Sequence, residues 1–173
     1  MRSTVENVES VYVVDIVEEV VAKTATDLDI NINFVYGDSV DILKNLKDKD
    51  GSITLKDSKY VLFAMYMPFP ERRGVQLYAD VTVRRMTIAT LTNQDDEPKA
   101  RYTNVFKPIL YPVYERFLIN FARSNYISCK HPNSIIHTKT DVIGYIRVEG
   151  VNDFVDCINL DNIQFSVNQQ KFC

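Results

Sequence analysis

A few stretches of this chain hold residue types that could do chemistry. Cys129, Lys130 and His131 stand together, with His137 a little further on. Thiolates and imidazoles are zinc ligands, but zinc asks for four donors at workable spacing, and here three crowd one loop without a clear fourth. A surface loop is the plainer reading, with His131 held extended before Pro132. The run Asp95-Asp96-Glu97 offers carboxylate oxygens to a divalent cation. It lacks the spaced ligands and turn glycine of a calcium loop, which leaves a solvated hairpin tip. Asp153 and Asp156 could form an acid–base pair with His137, yet no nucleophile or substrate-binding group can be named beside them. Polar residues at strand ends are the safer view. There is no GxxxxGK[ST], GxGxxG or GxSxG, so phosphate cradles and nucleophile elbows are unsupported. The sequence supplies no catalytic residue, metal ligand set or cofactor-binding motif.

The paired arginines, Arg72-Arg73 and Arg84-Arg85, point elsewhere. A nucleic-acid site would need them clustered on one face, and the acidic balance of the chain argues against a broad one. Arginine's planar fork pairs bidentately with carboxylates, which suits it to subunit interfaces. Arg72, Arg73, Tyr78, Arg84, Arg85, Asp95, Asp96 and Glu97 are therefore the candidate intersubunit contacts. A merely exposed pair, contributing little, is the competing reading.

The elements that must position these residues follow from hydrophobic period. Residues 4–24 place Val5, Val8, Tyr12, Val13, Ile16, Val17, Val20 and Val21 on one helical face, with Ser3 or Thr4 as cap. Ile30 to Tyr36 alternates as a strand, and Ser39 caps a short helix through Val40, Leu43 and Leu46 before a turn at 47–51. Tyr60 to Met67 is continuously apolar, as a central strand buried on both faces would be, and Pro68 and Pro70 end it. From Val75 to Thr92 strand character persists, with a change of phase around Arg84-Arg85 of the kind a bulge or bend produces. Fully extended, that stretch is roughly 60 Å against a usual strand of about 17–20 Å. It must bend sharply or project as a β-hairpin arm whose open backbone groups would meet a neighbouring chain. Pro108 to Arg123 is the strongest helix, with Pro112 expected to kink it or delay its start. Residues 124–150 look like an irregular insertion, and Phe154 to Val167 closes the chain as strand.

The expected fold is α+β in a single domain spanning 1–173. It has a mainly antiparallel sheet, two principal helices packed on one face, and a β-hairpin arm over 69–98. With 173 residues and 46% hydrophobic side chains, the chain can bury a core of its own. The net charge of −3 gives no general attraction to nucleic acid or anionic membrane. Three cysteines without CxxC spacing read as reduced thiols. The N-terminus has no signal-peptide pattern, and no apolar run approaches the roughly 18 residues of a membrane span. Ten tyrosines and nine phenylalanines without a tryptophan suit surfaces that become buried against partners.

In this order of elements, with a helix entered through Leu110-Tyr111-Pro112-Val113-Tyr114, the chain resembles the tail-terminator proteins of long-tailed phages. Phe106 to Glu115 and Asn152 to Ile158 carry a closer resemblance to neck and tail proteins of crAss-like phages of Bacteroides-type hosts. The resemblance implies a non-enzymatic structural virion protein forming a closed ring in the neck or tail, joining portal and head to tail around the DNA channel. Its partners would be copies of itself, adjacent portal, neck or tail rings, and non-specific DNA in the lumen. The ring would be twelvefold on a portal or sixfold as a terminator. The virion, and the host cytoplasm during assembly, are the implied locations. Two alternatives remain beside it: a small cytoplasmic enzyme using the His and Asp residues of 131–156, and a nucleic-acid-binding module using the paired arginines.

Overall fold

The computed structural model describes residues 12–52, 58–73, 78–129, 135–140 and 153–168. The protein is α+β. The first helix, α1 (Val13–Leu28), buries Val13, Ile16, Val17, Val20, Val21 and Thr24 along one stripe. It runs past its expected end to Asp29, whose left-handed backbone closes it by donating to the Ala25 and Thr26 carbonyls. The expected caps Ser3 and Thr4, with Val5 and Val8, lie outside the described residues.

Strand β1 (Asn33–Gly37) leads directly into α2 (Ser39–Asp50). The cap is Asp38, not Ser39. Its carboxylate accepts from the Val40 and Asp41 amides at 2.8 and 2.9 Å, while Asp41 accepts from the Asp38 amide at 3.1 Å. The two acids together satisfy orphan amides of the first turn. Gly37, at φ +155, is pressed against this box, since a Cβ there would lie 2.6 Å from Asp41 Cβ.

The sheet contains β1, β2 (Leu62–Tyr66), β3 (Glu71–Arg73), β4 (Tyr78–Leu91), β5 (Ile127–Cys129), β6 (Ile136–Thr140) and β7 (Val155–Asn168). Its order is β1-β2-β4-β7-β5, with β3 beside β4 and β6 beside β7. β1 and β2 run parallel and the other pairings are antiparallel, so the sheet is mixed.

β2 is buried on both faces, as its continuous apolar run requires. Phe63 and Met65 join the larger core with α1 and the C-terminal helix. Leu62, Ala64 and Tyr66 face Ile42 and Leu46 of α2. The two principal helices share one face, as expected, and the short helix covers the other. Sequence period shows that a helix has an apolar stripe; it does not say which side of a sheet the stripe covers.

The long strand is present, but β4 is not an unsatisfied arm. β7 is equally long and pairs with it from Tyr78↔Asn168 to Leu91↔Val155. On its other side β4 meets Glu71–Arg73 of β3 and Leu62–Met65 of β2. Its ladder is thus completed largely within the chain, which corrects the inference that length alone forces pairing with neighbours. The phase change at Arg84-Arg85 is real. Ala79, Val81 and Val83 face the larger core before it, Met86 and Ile88 after it. β7 shifts at the same level: Ile163, Phe165 and Val167 face that core on one side, Ile158 and Leu160 on the other. The register stays in step, with Val83 opposite Ile163 and Arg85 opposite Asp161. Asn162 lies between them at φ 54, a left-handed conformation that asparagine tolerates better than most residues.

The C-terminal helical region starts at Pro98, ten residues before its expected start at Pro108. It runs as α3 (Pro98–Arg101), a π-helical segment (Tyr102–Leu110) and α4 (Tyr111–Arg123). Pro108 has no N–H for a standard ladder; the wider turn brings the Tyr111 amide onto the Phe106 carbonyl instead. Pro112 sits in the first turn of α4, where its missing donor costs little. The 124–150 stretch is not wholly irregular either, because β5 and β6 both pair with β7.

Aromatic rings tie the layers together: Phe63 and Phe117 are 4.6 Å apart, Phe117 and Phe121 5.5 Å, and Phe121 meets Phe165 edge-on at 5.0 Å. Between α1 and α4 the Asn120 amide donates to Asp27 at 3.0 Å and to Thr24 at 3.2 Å. The Asn120 bond, aided by Lys23 and Arg116, holds the Asp27 carboxyl below its ordinary value.

Phe117→Ala is expected to cost about 3–5 kcal/mol in urea denaturation, because it empties the centre of this ring chain. Gly37→Ala should displace Asp41 and remove the capping box, at about 1–2 kcal/mol by the same measurement. For Asp27, a folded-state value below the unfolded one means its contribution is present above the unfolded carboxyl value. That contribution is lost as pH falls through the folded one, and Asp27→Asn should flatten this part of the acid limb.

Candidate functional site

Six of the candidate contact residues divide between the two ends of β4, and Arg84 and Arg85 lie at its middle. Arg72 and Arg73 are exposed on β3, opposite Asp80 and Ala79. Arg73 bonds Glu71 at 3.1 Å and lies 5.9 Å from the Tyr12 ring. Tyr78 begins β4 at this end. Arg84 is exposed at the phase change. Arg85 is withdrawn from any partner role, because its side chain is mostly buried and pairs across the ladder with Asp161 at 2.7 Å.

Asp95, Asp96 and Glu97 lie beyond the other end of β4. Asn93 organises their loop: its carbonyl oxygens accept from the Asp96 amide at 3.2 Å and the Asp95 amide at 3.3 Å. The Asn93 side-chain amide also donates to the Asp96 carboxylate at 3.3 Å. Asp95 and Glu97 are exposed, Asp96 half-buried. From Tyr78 to Leu91 an extended strand covers roughly 40 Å. Arg72 and Arg73 on one side and the acidic loop on the other are thereby held apart by a continuous ladder.

The residues weighed for acid–base chemistry each engage a partner of their own. Asp153 pairs with the buried Lys59 and accepts from the Tyr60 hydroxyl at 3.3 Å. Asp156, wholly buried, binds the Arg101 guanidinium. His137 packs against Tyr114 with the rings tilted, their centres 5.0 Å apart and Nδ1 3.2 Å from the phenol oxygen. Burial, and then the neighbouring Glu115 carboxylate, push that phenol upward, so it is a hydroxyl at neutral pH. Of the loop cysteine and histidines, His131 falls outside the described residues. Among those described, no group of three His, Cys, Asp or Glu side chains could hold a metal ion. No helix among them is long and apolar enough to cross a membrane.

A second constellation was not visible in the sequence. The start of the C-terminal helical region and β6 flank an open pocket of about 480 Å³, lined by Pro98, Arg101, Tyr102, Phe106, Lys139 and Asp156 among others. Arg101 reaches Asp156 through Nε at 3.1 Å and through a second, close bond from Nη2. Lys139 extends from β6 over three rings, with its ammonium 5.0 Å from the centre of Tyr111 and 5.8 Å from those of Tyr102 and Phe106. These distances lie within the reach of cation–π attraction. The rings follow from the Tyr-Phe-Tyr spacing of 102–111, but nothing in 124–150 marks Lys139 as their partner, because β6 is short and polar.

No family model matches the chain, and no curated protein is significantly similar to it.

Asp156→Asn leaves the Arg101 guanidinium against a neutral, buried amide. A loss of about 2–3 kcal/mol is expected in thermal or urea unfolding, and a change under 0.5 kcal/mol would show that the ion pair does not anchor α3.

Proposed function

We propose that this chain is a structural virion protein that assembles head to tail into a ring in the neck or tail of a tailed phage, joining portal and head to tail around the DNA channel. One observation carries the reading: the exposed Arg72 and Arg73 and the acidic loop (Asp95, Asp96, Glu97) stand at opposite ends of one long ladder, with the exposed Arg84 midway between them. Unlike surfaces on opposite sides of a subunit make a heterologous contact, which closes into a ring when the rotation between copies divides the circle. Exposed ion pairs alone contribute little. Apolar side chains that remain exposed near sheet ends, Leu91 at 50% and Phe154 at 48%, would supply the buried area of such a contact. The resemblance carried by Phe106 to Glu115 agrees with this role and supplies the phage context. Neighbours in the particle would be further rings above and below.

Charge reversal tests the arrangement. Arg72→Glu with Arg73→Glu should leave the protein monomeric by light scattering, and so should Asp95→Lys with Glu97→Lys. Mixing the two variants re-creates opposite charges at every junction and should restore rings visible by negative-stain electron microscopy. Wild-type protein that stays monomeric at high concentration, or variants that oligomerise unchanged, would sink the head-to-tail reading.

A further inference from the structure

We propose that the pocket between the π-helical segment and β6 binds a small organic monocarboxylate with a flat apolar body. The proposal does not depend on the ring reading. The charges around the pocket set the sign of its ligand. Asp156 is fully buried and committed to Arg101, so its carboxylate offsets that guanidinium and cannot also receive a cation. The charge in excess is that of Lys139. Its ammonium is held by the faces of Tyr102, Phe106 and Tyr111, and among the described residues no carboxylate pairs with it. An ammonium held by π faces keeps N–H donors for an acceptor, and these can bind one carboxylate.

The walls determine the rest of the ligand. Pro98, Phe106 and the half-exposed ring of Tyr102 offer apolar surface beside the cation. The volume of about 480 Å³ lies in the range of small-molecule pockets and is too small for a large cofactor. A carboxylate on an aromatic or similarly flat body would set its charge at Lys139 and its body against Tyr102 and Phe106. The groups are fixed in advance: Arg101 by its buried acid, Lys139 by three rings. Little ordering is therefore left to oppose binding.

The probe is sodium 3-phenylpropionate, titrated into ¹⁵N-labelled full-length protein at constant ionic strength, with the neutral 3-phenylpropionamide as control. Saturable amide shifts are expected at 98–106, 136–140 and around Asp156. The amide should bind about tenfold more weakly, since it loses one charge-assisted hydrogen bond. In Lys139→Met, acid and amide should bind alike. The proposal is overturned if the amide matches the acid on the unmodified protein, or if shifts scatter over the surface. It is equally overturned if none saturate by about 20 mM, an affinity too weak for a built site. Should Lys139→Met fail to fold, the acid-against-amide comparison on the unmodified protein decides alone.

Discussion

The antiparallel ladder between β4 and β7 is the interaction on which everything else rests. Both strands are 14 residues long, more than twice the usual length, and they pair from one end to the other. Every other strand except β1 attaches directly to one of these two. The larger core draws Ala79, Val81, Val83, Met86 and Ile88 from one strand and Ile158, Leu160, Ile163, Phe165 and Val167 from the other. Remove this ladder, and the helices have no common surface to cover.

The same ladder explains the disposition of charge. A strand of ordinary length, about 17–20 Å, would hold Arg72 and Asp95 much closer together. Here the elongated pair keeps the basic hairpin and the acidic loop at separate ends, while the arginine at its centre, Arg85, is neutralised in place by Asp161. The paired arginines thus serve different purposes although they look alike in the sequence. One member of the second pair is a cross-strand clamp, and the remaining three are exposed.

Much of the fold was legible because local rules and tertiary packing agree. The valine stripe of α1, the wholly apolar β2 and the phase change at Arg84-Arg85 all describe burial that the core enforces. What was not legible depended on partners distant in sequence. The length of β4 looked like an excess because Phe154 to Val167, although legible as the closing strand, carries nothing in its own pattern that names β4 as its partner over the whole length. Proline rules placed the helix start at Pro108, whereas a widened turn absorbs that proline and carries the helix back to Pro98. The pocket was least visible of all. Asp156 could be noticed as a carboxylate, but Arg101 and Lys139 acquire meaning only when β6 lies beside β7 and Arg101 of α3 reaches Asp156.

The matched break in the two central strands constrains how this sequence can change over time. Because Arg84 and Asn162 occupy the same level, both strands carry their extra step together and the pairing never slips. A one-residue deletion in either strand alone would leave the extra residue of the other unopposed, as a one-residue bulge at the centre of the ladder. Deleting one residue from each at this level would instead yield a shorter, regular ribbon with its inner and outer faces still opposed. Only the paired change, at positions some eighty residues apart in the chain yet joined at a single rung, leaves no residue unopposed.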